Sequence, residues 1–134
     1  MIYEVTLKRT IVTDDGTNKN VSEKYYVDNV EFCSEAEQKI LEEFGADCEC
    51  TNIKKSSVRE FINPRNASCF IFLAKLEIVT IDEKSGEEKT TPYLVAIFEE
   101  TVEAATKSAA EYLKGSMQDM RIASIKKTKF IDLL

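Results

Sequence analysis

The sequence predicts an α+β domain made of two tandem β-β-α-β repeats related by a pseudo-twofold axis, with about six mostly antiparallel strands and two helices. Three observations predict it. First, the stretch Ile125-Lys126-Lys127-Thr128-Lys129-Phe130-Ile131-Asp132-Leu133-Leu134 has an earlier echo in Ile53-Lys54-Lys55-Ser56-Ser57-Val58-Arg59-Glu60-Phe61-Ile62. Both read apolar, two lysines, hydroxyl, variable, apolar, variable, acid, then two apolar residues. Second, each copy follows a helix-like segment that ends near a glycine, Gly45 or Gly115. Third, each helix-like segment follows two alternating segments joined by a turn.

The first strand covers Ile2 to Thr13, where Tyr3, Val5 and Leu7 alternate with Glu4, Thr6 and Lys8, the pattern of a half-buried strand. Asp14-Asp15-Gly16-Thr17-Asn18 has turn chemistry, and Val21 to Val27 returns as the second strand. Ser34 with Glu37 three residues on fits a capping box. Ala36, Ile40, Leu41 and Phe44 recur at helical spacing, and Gly45 is the stop. Cys48 to Val58 is the third strand. Asn63-Pro64-Arg65-Asn66 is the one linker, separating repeat one (about 1–62) from repeat two (about 69–134) within a single domain, 1–134.

The second repeat follows the same plan. Cys69 to Asp82 opens on the apolar run Phe70-Ile71-Phe72-Leu73 and then alternates; Lys84-Ser85-Gly86-Glu87 is the turn, and Thr91 to Phe98 returns with Pro92 near its start. Thr101 caps a helix with Val102, Ala105, Ala109, Tyr112 and Leu113 on its apolar face, and Gly115 ends it. Arg121 to Leu134 is the last strand. Three strands and a helix bury their layers poorly alone. Two such units are therefore expected to share one six-stranded sheet with both helices on one face.

Length and composition agree with one domain that stays in the cytoplasm. The chain has 134 residues, 43% of them hydrophobic, and carries a net charge of −6. No apolar run approaches the ~20 residues that span a bilayer, and Met1-Ile2-Tyr3-Glu4-Val5 is no secretory signal. The acidic balance repels phosphate on average but leaves room for a local basic patch. There is no histidine, which removes the commonest general base and metal ligand. Cys33, Cys48, Cys50 and Cys69 lack paired zinc-ribbon spacing and read as small buried hydrophobes rather than a four-thiolate site. Asn20-Val21-Ser22 and Asn66-Ala67-Ser68 match the glycosylation pattern by chance.

Several runs carry a family resemblance: Asp82-Glu83-Lys84-Ser85-Gly86-Glu87-Glu88-Lys89, Leu113-Lys114-Gly115-Ser116-Met117 and Ile122-Ala123-Ser124-Ile125 in the second half, and Lys24-Tyr25-Tyr26-Val27-Asp28, Ser34-Glu35-Ala36-Glu37 and Asn52-Ile53-Lys54-Lys55 in the first. With these the chain resembles, over nearly its whole length, a small-protein family of Bacteroidetes and their phages, domain of unknown function 4494. The resemblance implies a small intracellular protein of a gut bacterium or of a phage that infects one. It carries over no catalytic residue.

The candidate binding residues are basic: Lys8, Arg9, Lys54, Lys55, Arg59, Lys126, Lys127 and Lys129. On neighbouring strands they would form a shallow groove that tracks a single nucleic-acid strand, with Tyr25, Tyr26, Tyr93 or Phe130 stacking on bases. The competing reading is that they are solvated edge-strand lysines that discourage sheet-to-sheet aggregation. Adjacent lysines point to opposite faces, so at most half could share a groove. The carboxylate pairs Asp14-Asp15, Glu42-Glu43, Glu87-Glu88 and Glu99-Glu100 read as solvated charge. No glycine-rich phosphate loop and no histidine-activated nucleophile exist, so no enzyme and no cofactor are expected. Phe130-Ile131-Asp132-Leu133-Leu134 loosely resembles clamp-docking peptides but, given its echo at Val58-Arg59-Glu60-Phe61-Ile62, reads as a strand. Two function classes follow: a single-strand-binding accessory protein of a phage or mobile element, or a binding protein for a host protein or small nucleotide, such as an anti-defence factor. In the second reading the seam between the repeats is the pocket and a homodimer is expected; no membrane partner is expected in either.

Overall fold

The computed structural model describes residues 1–45, 47–64 and 69–134. Part of the linker, Arg65 and Asn66, and the Asn66-Ala67-Ser68 pattern lie outside the described residues. The element order is β1 (Tyr3–Val12), β2 (Asn18–Val27), α1 (Cys33–Phe44), β3 (Cys48–Lys55), β4 (Val58–Ile62), β5 (Phe70–Ile81), β6 (Glu88–Glu99), α2 (Val102–Lys114), β7 (Met120–Lys127) and β8 (Phe130–Leu133). The protein is α+β. It has more strands than expected, and they form two four-stranded sheets in place of one sheet of six. Their orders are β3-β1-β2-β8 and β4-β6-β5-β7. The chain divides into two compact units, Met1–Ser57 with Lys129–Leu134, and Val58–Thr128.

The departure from the expected sheet lies within the echoed stretches. The sequence pattern predicts one strand from Cys48 to Val58 and one from Arg121 to Leu134, and the structure breaks each, after Lys55 and after Lys127. Ser56 N–H donates to the Ile2 carbonyl at 2.8 Å and ends β3. Thr128 donates both its N–H, at 3.0 Å, and its hydroxyl, at 2.8 Å, to the Ile71 carbonyl and ends β7. After each break the chain enters the other sheet. There β4 runs parallel to β6, with Val58 opposite Leu94 and Ile62 opposite Ile97. β8 runs parallel to β2, with Lys24 opposite Phe130 and Tyr26 opposite Leu133. The halves of the chain therefore exchange their closing strands. The remaining pairings are antiparallel, so both sheets are mixed.

In the first unit, β1 and β2 pair from Tyr3 with Val27 to Val12 with Asn18. Their turn is held by Asp15, whose carboxylate accepts from the Thr13 and Thr17 hydroxyls and from Thr17 N–H, while Gly16 takes φ +83°. Those bonds hold the Asp15 carboxyl down at about 2. Alternation puts Tyr3, Val5 and Leu7 on the face that α1 covers with Ala36 and Ile40, all buried, and Leu41 and Phe44 close its margin. Leu134 packs against the same core.

In the second unit, Phe72, Ala74 and Leu76 of β5 and Val95 and Ile97 of β6 lie under Ala105 and Ala109 of α2. Val102 was assigned to that apolar face but is 43% exposed. On the sheet's opposite face Val58, Ile71, Ala96 and Phe98 are buried as well, and Phe61 meets Phe98 edge-on at 6.1 Å.

The two helices start differently. The capping box at Ser34 does not form, because α1 begins at Cys33 and its cap position is Phe32, which makes no side-chain cap. Ser34 is already inside the first turn. Instead the Glu35 carboxylate accepts from Glu31 N–H at 3.5 Å. The Thr101 hydroxyl does cap α2, accepting from Ala104 N–H at 3.1 Å. Thr101→Ala should therefore destabilise the protein by about 1 kcal/mol, whereas Ser34→Ala should leave the denaturant midpoint within error. Equal midpoints for the two variants would contradict this assignment.

Candidate nucleic-acid interface

The eight basic residues divide between the two units. Lys8, Arg9, Lys54, Lys55 and Lys129 belong to the first unit, and Arg59, Lys126 and Lys127 to the second. Seven of the eight are exposed and Arg9 is half-buried.

In the first sheet the pleat divides them by face. Lys8 and Lys54 point away from α1, where Lys8 stands opposite Glu49 and Ser22, and Lys54 opposite Glu4. Lys24, which the sequence reading left out, lies on the same face opposite Thr6, exposed, with its ammonium 5.9 Å from the Phe130 ring centre. Each cation in this set other than Lys24 has a glutamate across the strand, so the face is mixed in charge. Arg9 lies on the other face. Its guanidinium is bound by the Glu23 carboxylate and sits 5.3 Å from the Phe44 ring centre. Glu23 raises the Arg9 pKa still further, so Arg9 is a fixed structural cation. Lys55 stands opposite Tyr3 at the end of β3.

The four aromatics expected to stack on bases are occupied. Tyr25 and Tyr26 are 4% and 1% exposed, and burial pushes the Tyr25 hydroxyl up to about 12. Phe130 stacks on Tyr26 at 3.9 Å, 12° from parallel. The Tyr93 hydroxyl donates to Glu60 at 3.0 Å, and Tyr112 of α2 donates to the same carboxylate oxygen. Burial, followed by Glu60, raises the Tyr112 pKa. This pair of bonds ties β4 to β6 and α2.

Two phenylalanine rings among the described residues are exposed, Phe32 at 62%, before α1, and Phe70 at 49%, the first residue of β5. Lys127 Nζ lies 3.6 Å from the Phe70 ring centre, in the range of a cation–π contact. Lys126 follows on the opposite face of β7, opposite Leu73, one residue along β5's face from exposed Lys75. On one face the exposed ring and the cation held against it can stack a base and meet a phosphate, and Lys126 stands across the β7 edge on the other face, the face that also carries Lys75 of the interior strand β5. Glu99 stands opposite Phe70, but its carboxylate is engaged by Asn63 and Ser108, each at 2.7 Å. Sequence reasoning missed Phe70 because it opens an apolar run that reads as core. The available signal was its position at the head of that run, next to the linker.

A groove of about 470 Å³ opens in the first unit between Lys8, Thr10, Asn20, Ser22, Asp47 and Glu49. The cysteines do not converge. Cys48 and Cys50 join the first core, and Cys48 donates to the Gly45 carbonyl at 3.2 Å. Burial raises the pKa of the Cys50 and Cys69 thiols, which makes both poor thiolate donors. Among the described residues no group of three His, Cys, Asp or Glu side chains could hold a metal ion. No described helix is long and apolar enough to cross a membrane.

Compared with known proteins, residues 1–134 match the family described as domain of unknown function DUF4494. No curated protein matches the chain.

Proposed function

The chain belongs to the DUF4494 family, and we propose that it is a non-catalytic protein that binds single-stranded nucleic acid, serving a phage or mobile element as a replication accessory in the cytoplasm. The observation that carries this reading is the exposed Phe70 ring with Lys127 against it, at the β7 edge of its sheet. Sequence-tolerant single-strand binding needs that combination, a π-face for the base and cations for the backbone. The resemblance of the sequence to proteins of Bacteroidetes and their phages supports the setting. The echoed stretches, with the matching order of strands and helix in each half, support an origin by internal duplication.

Fluorescence anisotropy with labelled oligo-dT tests the reading. If Lys127 and, across the β7 edge, Lys126 each meet a phosphate, log K should fall against log salt with a slope of about −1.4. Phe70→Ala should cost about 1–3 kcal/mol of binding, and Lys126→Glu with Lys127→Glu should abolish it. Absence of binding at low salt would sink the proposal. The groove at Lys8 and Asn20 favours a second reading, a small polar ligand. A nucleotide that raises the melting temperature of a protein that ignores oligo-dT would select it.

A further inference from the structure

We propose that β3 is a homodimerisation edge, on which a second copy of this chain adds its own β3 antiparallel to the first. The strand is an edge of its sheet, eight residues long, paired on one side by β1 and by no described strand on the other. An unpaired edge of that length is a template for another strand.

The register follows from the pleat. In an antiparallel pair about a twofold axis, two residues stand opposite each other only if both point to the same face. A regular strand then pairs with itself only at residues an even number apart. β3 is not regular. Thr6 pairs with Asn52 and Leu7 with Cys50, so Thr51 is an extra residue and the alternation reverses across it. Cys48 and Cys50 before the bulge, and Ile53 and Lys55 after it, all face α1; Glu49, Asn52 and Lys54 face away. Self-pairing centred between Thr51 and Asn52 is the register that keeps the faces matched over the whole strand. It places Ile53 of one copy opposite Cys50 of the other, extending two half-buried apolar margins toward each other. It also places Lys54 opposite Glu49, twice. All four of these charged groups are exposed and none has a side-chain bond among the described residues.

The other long edge is a built-in comparison. β7 is also eight residues long and has a corresponding bulge, with Lys75 opposite Ser124 and Leu76 opposite Ile122, leaving Ala123 extra. The same rule applied to β7 would place Lys126 opposite Arg121, two like charges. Arg121 is besides engaged by Glu77 at 2.8 Å and Glu88 at 3.0 Å. Pairing β3 with β7 of another copy would set Glu49 against Lys126 but Lys54 against Arg121, one attraction and one repulsion. That contact would also be heterologous and would propagate into filaments. β3 against β3 is the edge pairing in which both charge pairs attract, and it closes after two copies. One strand pair buries little area, which puts the dimer among transient interfaces, below about 1,200 Å².

Sedimentation velocity of the full chain over a concentration series tests the proposal. Wild type should shift from monomer to dimer with concentration and go no further. Glu49→Lys alone and Lys54→Glu alone should each be monomeric, since each sets like charges opposite each other twice. Mixed in equal amounts, the two variants should form a heterodimer at concentrations close to those of the wild-type dimer, because both opposing charge pairs again attract. Both positions are exposed, so each variant should keep the wild-type circular dichroism. A wild type that stays monomeric throughout overturns the proposal. So does a dimer that ignores the substitutions, or a mixture of variants no more associated than its components.

Discussion

Deleting Phe130–Leu134 should cost the first unit most of its stability. The segment supplies β8, the strand that closes the first sheet against β2. Its loss removes Phe130 from the face of Tyr26, a side chain only 1% exposed, and Leu134 from the α1-covered core. It also removes two backbone bonds, Leu134 N–H to the Tyr26 carbonyl at 2.8 Å and Asp28 N–H to the Leu134 carbonyl at 3.3 Å. Phe130 and Leu134 are both half-buried, and with the two backbone bonds their loss takes a large share of the ~5–15 kcal/mol that holds a domain folded. Hydrogen exchange should show the amides of β2 near Tyr25 and Tyr26 losing protection. Ile131→Ser is the control: Ile131 is 46% exposed, so the change should shift stability by no more than about 0.5 kcal/mol. Unchanged protection in the truncated chain would mean that β8 is dispensable.

Leu76→Ala should be the most damaging single substitution in the second unit, at about 2–5 kcal/mol. Leu76 is fully buried on the α2 side of β5 and packs in one cluster with Val95, Ile97 and two helix alanines, Ala105 and Ala109. Alanines bring the helix close to the sheet, and a shortened Leu76 leaves them nothing long enough to fill the gap. Urea denaturation should show a lower midpoint with the slope retained. Thr80→Ala, further along the same strand and exposed, should do almost nothing. A Leu76→Ala loss below about 1 kcal/mol would show that the site collapses around the cavity.

Helices and hairpins were legible in the sequence because their signals are local. Ile40 and Phe44 recur at helical spacing, Tyr3, Val5 and Leu7 alternate, and Gly45 ends α1 at φ +77°. The strand exchange was not legible. Ser56-Ser57 and Thr128-Lys129 contain no proline or glycine, and a period of two says which face a residue takes but never which sheet its strand joins. The same limit applied to the candidate site. The lysine pairs were found, but Lys54-Lys55 and Lys126-Lys127 fall in different units, and Arg9 is taken by Glu23. Buried and exposed aromatics looked alike: Tyr26 sits inside and Phe70 outside, a difference set by strand pairing several residues away in space and many more along the chain.

The exchanged strands also set an order of events during synthesis. The second unit is one unbroken segment, Val58–Thr128, and has all its strands once Thr128 has left the ribosome. The first unit begins earlier but needs Lys129–Leu134 to finish. Although it leads the chain, it must wait with the edge of β2 bare while the later segment is made, and a bare edge is a site for wrong pairing. The half translated first is thus the half completed last, and its exposure time is the translation time of the other.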